Sequence, residues 1–507
     1  MSVEIILGPP GTGKTTSLLK IVEDELASGT PPDRIGFVSF TTRAADEAAT
    51  RACKKFNLER SDLPHFRTLH SLCFRWLGMR RGGVLEGESL QEFAREAGVR
   101  ITGRWTDDGT LTGFEAGDRI RHLDNLARVR GVSLRQVYDQ DDGGIPWSEV
   151  DRVARALRSY KERTGLLDFT DMMTEFVKRG GTLGLDVLIA DEVQDQSHVA
   201  WEVFAQLALS ARRVIVAGDD DQAIYRWAGA DVDHLIDLEG ESRVLGQSYR
   251  VPRRVQELAN AVIGPVRHRR QKEWASRDDE GEITREGEFH AADLSGDDVM
   301  VLARNSYVFR ETVEPELRRL GVIYEINGRS SVRMSVLSAV TDWERLRAGE
   351  HVTADAARAV YEFMSVRAGS ADDGSMLLRG HKKLPAFQSD EPVCLEDLER
   401  AGGLLTRAIW HEAMDRLPQT EKDYILTARR RGERLTRRPR IRLSTIHGAK
   451  GGEADHVVLL LDVARRTHRE IAVNPDDERR VWYTGVTRAR QKLTLVRAST
   501  PLRCPWL

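Results

Sequence analysis

The chain has 507 residues, 40% hydrophobic and 31% charged, with a formal net charge of −3. That length predicts two to four domains, and the composition is that of an ordinary globular protein. No stretch approaches the ~20 apolar residues of a membrane-spanning helix, and the first residues, MSVEIILG, lack the basic region and long apolar core of a secretion signal. Cys53, Cys73, Cys394 and Cys504 are scattered without a CxxC pair, which argues against a disulfide framework or a zinc site and for a reducing cytoplasm. The charge lacks the basic signature of a small DNA-binding domain, although a local basic groove can coexist with acidic outer faces.

In chain order, short runs rich in Val, Ile and Leu predict buried strands at Val3–Leu7, Ile35–Phe40, Val187–Ala190, Val214–Ala217, Val299–Ala303, Val457–Leu461 and Leu493–Val496. They do not alternate strictly, which suits parallel strands covered on both faces. Amphipathic stretches such as Thr16–Leu26, Arg43–Phe56 and Val199–Leu209 predict helices between them. Strands alternating with helices predict an α/β protein with parallel sheets. The strands fall into two sets that meet near residue 245, and each set is interrupted by a polar, helix-leaning stretch. The expected organisation is a first core from 1–80 and 160–245 with a helical insertion at 81–159. A second core follows from 246–344 and 436–507, with a shorter insertion at 345–435. Arg429–Arg440 is strongly basic and fits a linker.

Gly8-Pro9-Pro10-Gly11-Thr12-Gly13-Lys14-Thr15 follows a predicted strand and opens a predicted helix, the context a phosphate-binding loop requires. Glycines let backbone N–H groups turn inward around phosphates. Lys14 can reach the β- and γ-phosphates, and the Thr15 hydroxyl can ligate Mg²⁺. Gly8, Gly11, Thr12, Gly13, Lys14, Thr15 and Thr16 are therefore nucleotide-binding candidates. A second apolar strand ends in Asp191-Glu192, and strand ends are where open α/β sheets place ligands. Asp191 is the candidate for holding Mg²⁺ and Glu192 for orienting or deprotonating the attacking water. Gln222, after a further strand, could sense a γ-phosphate. Arg250 is unremarkable as a bare residue.

The order of segments resembles UvrD/Rep-type helicases of superfamily 1 over nearly the whole length. The matching segments are GPPGTGKTT (8–16), FVSFTTRAADEA (37–48), FRTLHSLCFR (66–75), LLDFTDMM (166–173), LIADEVQDQS (188–197), VAGDDDQAIYRWAGAD (216–231), LGQSYRVP (245–252), LSTIHGAKGGEADHVVLL (443–460) and VWYTGVTRAR (481–490). The resemblance implies two RecA-like parallel-sheet motor domains, each with a mainly helical insertion, binding ATP between them. It implies Lys14, Glu192, Gln222, Arg250 and Arg488 as catalytic, Tyr249 stacking on adenine, Glu453 contacting the ribose, and Thr15 and Asp191 at the metal. For DNA it implies Phe40, Thr41, Thr68, His70 with Ser71, Tyr225, Trp227, Thr445 and His447. From the residues alone, packing in a core is the lesser alternative for Phe40 on its apolar strand, whereas His70 could equally be a structural hydrogen-bonding histidine.

The activity implied is ATP-driven 3′→5′ movement along single-stranded DNA with unwinding at single-strand/duplex junctions. The implied setting is the cytoplasm of a bacterial or phage-infected cell, with no membrane partner and a monomer sufficient. A DNA-stimulated ATPase that strips bound proteins is the alternative; a nucleotide-gated clamp without a motor fits less well with Glu192, Gln222, Arg250 and Arg488 all in place. Four departures stand out. The family's adenine-reading glutamine segment has no counterpart before Val3, Ala228 stands where arginine is usual, Leu69 replaces the usual aromatic before the histidine, and the second insertion is short.

Overall fold

The first apolar run, Val3–Leu7, is strand β1 of a six-stranded sheet in the computed structural model, which describes residues 3–39, 42–103, 115–141, 143–367, 374–433 and 438–507. The other strands are β2 (Ile35–Ser39), β3 (Phe66–Thr68), β4 (Val187–Asp191), β5 (Arg213–Gly218) and β6 (Glu241–Val244). Their order is β3-β2-β4-β5-β1-β6, with every neighbouring pair parallel. Successive side chains of a strand point to opposite faces, and here both faces are covered. Ile5, Leu7, Val38, Leu188, Ala190, Val214 and Val216 pack with the helices Leu69–Trp76, Phe169–Lys178 and His198–Ala208. Ile6, Ile35, Phe37, Ile189, Ile215 and Ala217 pack with the helices Lys14–Ala27 and Thr42–Phe56. Double coverage is why these strands are unbroken apolar runs. Burying each such side chain stabilises by roughly 1.5–3 kcal/mol.

Between β3 and β4, the helices Gly87–Ala97, Ala116–Val129, Leu134–Asp139 and Trp147–Thr164 pack around their own core of Leu90, Phe93, Ile120, Leu123, Val150 and Leu157. Among the described residues between Gly87 and Thr164 there is no strand. By packing, residues 1–281 and 470–487 form one compact unit, and residues 282–469 with 488–507 form another. The helices Arg253–Ile263 and Pro475–Val486 thus go with the first sheet, and the Arg479 guanidinium joins them by donating to the Val262 carbonyl at 2.8 Å.

The second unit holds β7 (Glu282–Glu286), β8 (Val299–Ala303), β9 (Tyr324–Ile326) and β10 (Arg329–Ser330). A small antiparallel ribbon follows, β11 (Val352–Thr353) with β12 (Pro392–Val393), and then β13 (Ile441–Thr445), β14 (Ala454–Leu460) and β15 (Ala489–Val496). The seven-stranded sheet runs β10-β9-β13-β8-β14-β15-β7, parallel except for the β9–β10 hairpin. Its insertion is mainly helical, with Ala354–Tyr361, Leu395–Arg400, Trp410–Ala413 and Gln419–Arg430. The expected α/β class, with parallel sheets and helical insertions, is the class observed.

The seven predicted strands all form, to within a few residues at their ends. Two strands without an apolar run, β6 (ESRV) and β7 (EITRE), lie at sheet edges, where one side is open and polar residues are tolerated. Among the described residues no helix is long and apolar enough to cross a membrane.

Trp343, fully buried, sits within the core of the second unit, and its indole N–H donates to the Ala408 carbonyl at 3.1 Å. Trp343→Ala should cost about 3–5 kcal/mol through the cavity it leaves. Urea unfolding followed on this unit would measure it, and a loss under about 1 kcal/mol would mean that the insertion melts separately from the sheet.

Candidate nucleotide and nucleic-acid sites

Parallel pairing gathers the carboxyl ends of β1, β4 and β5 at one edge, the position where α/β sheets bind ligands. β1 is in register with β5 at Leu7 and Gly218, and the Gly8 N–H donates to the Gly218 carbonyl at 3.0 Å. From there Gly8–Gly13 loops into the helix Lys14–Ala27, with Gly11 and Gly13 in the left-handed region at φ 73° and 78°. A side chain at Gly8 would collide with the Lys14 stem, so this glycine lets the lysine fold back over the loop. Lys14 Nζ donates to the Gly8 carbonyl at 3.0 Å and stands 3.5 Å from Glu192 Oε1. The Thr12 hydroxyl ties the loop by donating to the Pro9 carbonyl at 2.8 Å. Thr16 lies in the first turn of the helix.

Asp191 ends β4, and its Oδ2 accepts from the Thr15 hydroxyl at 3.2 Å. Burial, and then the adjacent Glu192, push the Asp191 carboxyl up to about 7. A buried acid beside a hydroxyl and a second acid suits a divalent cation, whose charge would offset that repulsion. Glu192 adopts φ 55°, a conformation costly for a non-glycine residue and typical of functional sites. Its Oε2 accepts from Gln194 Nε2 at 2.5 Å, and Gln194 Oε1 accepts from the Asp219 N–H at 3.1 Å. Asp219 Oδ2 in turn accepts from Gln222 Nε2 at 2.7 Å. A hydrogen-bonded chain therefore links the acid at the end of β4 to the glutamine beyond β5. Gln194 was not singled out in the sequence; only its place within DEVQD marks it.

Tyr249 and Arg250 follow β6 and lie against the same loop. The Tyr249 N–H donates to the Gly11 carbonyl at 2.9 Å, and the Ser248 hydroxyl donates to Pro10 at 2.7 Å. Tyr249 is 74% exposed. Glu453 and Arg488 belong to the second unit. There the buried Arg488 donates to the Gly452 carbonyl at 3.2 Å, and Glu453 pairs with Arg490 at 3.3 Å.

The nucleic-acid candidates separate by environment. Phe40 and Thr41 lie outside the described residues. Thr68 caps the helix Leu69–Trp76, its hydroxyl accepting from the Ser71 N–H at 3.3 Å. His70 meets Phe169 edge-on at 5.9 Å, and burial pulls its ring down to about 4. His70 is therefore neutral at pH 7 and can offer a hydrogen bond or a ring face but no cation. Phe169, 44% exposed beside it, lies within LLDFTDMM but carried no assignment of its own.

Trp227 is 41% exposed whereas Tyr225 is buried, so of the two only Trp227 presents a broad surface to solvent. The insertion holds this turn: Arg130 donates to the Arg226 carbonyl at 2.9 Å, and Val129 packs against Gly229. Thr445 ends β13, its hydroxyl accepting from Gly448 N–H at 3.1 Å, with His447 half-buried in the turn that follows.

Two family models match the chain: the UvrD/REP helicase N-terminal domain over residues 2–242 and the UvrD-like helicase C-terminal domain over residues 440–496. Among similar proteins, the ATP-dependent DNA helicase PcrA of Bacillus subtilis is 24% identical over 356 residues, 65% of this chain and 46% of that protein. PcrA of Leuconostoc citreum is 28% identical over 345 residues, 64% of this chain and 45% of that protein. The ATP-dependent DNA helicase Rep of Buchnera aphidicola is 22% identical over 341 residues, 64% of this chain and 49% of that protein. The matches to these three relatives span just under half of each relative's length.

Gly11 offers a direct test of the loop. A Cβ there would come within 2.3 Å of Arg250 Cβ, in a backbone conformation that costs an L-residue about 1–2 kcal/mol. Gly11→Ala should weaken binding of a fluorescent nucleotide roughly tenfold or more. Unchanged affinity would show that the Pro10–Thr12 turn does not cradle phosphate.

Proposed function

The chain belongs to the UvrD/REP helicase family, and on that footing we propose that it hydrolyses ATP to move 3′→5′ along single-stranded DNA and to unwind duplex at single-strand junctions. The observation that carries the reading is the meeting of Lys14, Thr15, Asp191, Glu192 and, through Asp219, Gln222 at the carboxyl edge of one sheet. The direction rests on the resemblance.

Gly8–Gly13 would receive the phosphates on backbone N–H groups at the start of a helix, where the dipole favours negative charge. Lys14 can swing from the Gly8 carbonyl to the β/γ-phosphates. Thr15 and Asp191 are the pair that would hold Mg²⁺, and the ion when bound neutralises charge developing on the phosphate oxygens. Glu192, held by Gln194, orients the attacking water and accepts its proton. Gln222 presents its amide toward the terminal phosphate, and Arg250 lies beside the loop where it can add positive charge to the transition state. The proposal extends to Tyr249 and Glu453 as contacts to the nucleoside, to Arg488 as a further phosphate contact, and to Thr445 and His447 as DNA contacts.

On the DNA side, Trp227 would act as a stacking platform, worth about 1–3 kcal/mol per base and indifferent to sequence. The helical insertion that fixes its turn gives that foothold the rigidity a motor needs. Tyr225, being buried, would support the turn from below.

Partial duplexes with 3′ or 5′ single-stranded tails test the activity. ATP-dependent unwinding of the 3′-tailed substrate is expected, with Glu192→Gln retaining ATP and DNA binding while turnover falls to near background. Movement and hydrolysis without strand separation would instead fit an ATPase that remodels bound proteins. Near-normal turnover in Glu192→Gln would remove that residue from catalysis.

Trp227→Ala is expected to weaken single-strand binding by roughly 1–3 kcal/mol while leaving DNA-free ATPase nearly unchanged. Thermal melting beside DNA titration decides the assignment. A large drop in Tm with DNA affinity per folded molecule intact would return Trp227 to a packing role.

A further inference from the structure

The segment Arg267-His-Arg-Arg-Gln-Lys-Glu273 is rich in basic residues, yet its single lysine is not in solvent. The side chain of Lys272 is 1% exposed. Its ammonium stands 3.1 Å from Asp219 and 2.9 Å from Asp221, and it bonds Asp220 as well. Arg269 Nε donates to Asp221 at 2.7 Å, and the Arg270 backbone N–H donates to Asp220 at 2.9 Å. Burial alone would discharge the lysine, but the surrounding carboxylates outweigh it and hold its pKa above the usual value. Charged groups are found this deep only when paired.

The three aspartates are not equivalent. Asp221 has Arg269 and Asp220 has the Arg270 N–H, in addition to Lys272. For Asp219 the cation is Lys272, bound at Oδ1, which also accepts from the Asp221 N–H at 3.2 Å. That leaves Oδ2 directed at Gln222 Nε2, 2.7 Å away. The Asp219 main-chain N–H meanwhile donates to Gln194, whose amide grips Glu192. We infer that Lys272 is a positioning residue for ATP hydrolysis: by clamping one oxygen of Asp219 it fixes the other as the acceptor that aims the Gln222 amide. This rests on the ATPase reading above and names a residue outside the quoted motif segments on which turnover depends.

The mechanism is orientation. An Asp219 carboxylate without its cation is free to rotate or to take up a proton, and the Gln222 amide then samples several directions. Nucleotide binding at the phosphate loop, whose own glycines, Lys14 and Thr15 are unaltered, is left in place. Lys272 therefore acts on kcat and not on nucleotide affinity.

A charge-balanced double variant tests this without leaving an uncompensated charge. Lys272→Gln combined with Asp220→Asn removes one cation and one anion while Arg269 still pairs with Asp221. Expected is a kcat for DNA-stimulated ATP hydrolysis lowered roughly tenfold or more relative to Asp220→Asn alone, with nucleotide Kd within about twofold, both per nucleotide-binding molecule. In a Gln222→Ala background the Lys272 substitution should add little further loss, because both act through one amide. Equal kcat in the double variant and Asp220→Asn overturns the proposal, and so does an undiminished Lys272 effect when Gln222 is already absent.

Lys272→Arg is the second variant. It keeps the charge that folding needs, but a planar guanidinium cannot sit among three converging carboxylates as an ammonium does. It should lower kcat several-fold per folded, nucleotide-binding molecule, and if the double variant yields no folded protein, unchanged kcat in Lys272→Arg overturns the proposal by itself. Failure of the wild-type chain to hydrolyse ATP would instead sink the functional reading, a separate and earlier outcome.

Discussion

Everything placed at the candidate nucleotide site depends on the parallel pairing of β1, β4 and β5. A parallel sheet sends its strands out at one edge, and register decides which residues emerge side by side. Leu7 is level with Gly218, and Ala190 with Val216, so the phosphate loop, the Asp191-Glu192 pair and the Asp219–Gln222 turn begin within a residue or two of one another. The Gly8 to Gly218 hydrogen bond extends that ladder past the last strand residue and sets the starting point of the loop. A slip of one residue in β5 would turn Val214 and Val216 away from their helices and carry Gln222 out of line with Glu192. The hydrophobic packing on the two faces thus holds the chemistry at the edge in register.

The same edge collects an unusual density of carboxylates: Asp191, Glu192, Asp195 and Asp219 to Asp221 come from two neighbouring strand ends. Brought together without compensation they would destabilise the sheet that positions them. Two sets of cations answer this. Lys14 lies over Glu192 from the side of the phosphate loop, and Lys272 with Arg269 closes the far side. The second set comes from a segment that packs onto the first sheet only after β6 has completed it. Residues 246–281 are thereby part of what makes the acidic edge tolerable, which gives a physical reason for their membership of the first compact unit.

The chain also shows how strain and mobility are distributed. Glu192 keeps a left-handed backbone beside Asp191, held there by its bonds to Lys14 and Gln194. Trp227 and Tyr249, the side chains suited to stacking, are exposed yet mounted on turns tied by backbone hydrogen bonds. Rigid mounting with an exposed ring lets a contact be made and released without rebuilding the site.

The amino-acid sequence by itself determined the features that are local or periodic. Doubly covered parallel strands must be apolar throughout, so Val3–Leu7, Val187–Ala190 and Val299–Ala303 were legible as strands. A phosphate loop needs its glycines, lysine and threonine contiguous, so Gly8–Thr15 was legible as a candidate site, as was Asp191-Glu192 at a strand end. Edge strands such as β6 and β7 escaped because one open side removes the need for an apolar run. What only the tertiary structure decided were properties set by neighbours distant in the chain. Tyr225 and Trp227 read alike in sequence, yet one is buried and the other exposed. Nothing in the sequence marks Lys272, and only the fold brings it about fifty residues back along the chain to Asp219. Composition and spacing record which chemistry a segment can supply; burial and the partner across the fold determine whether it is used, since a charge acquires its role from the desolvation and the counter-charge that packing imposes.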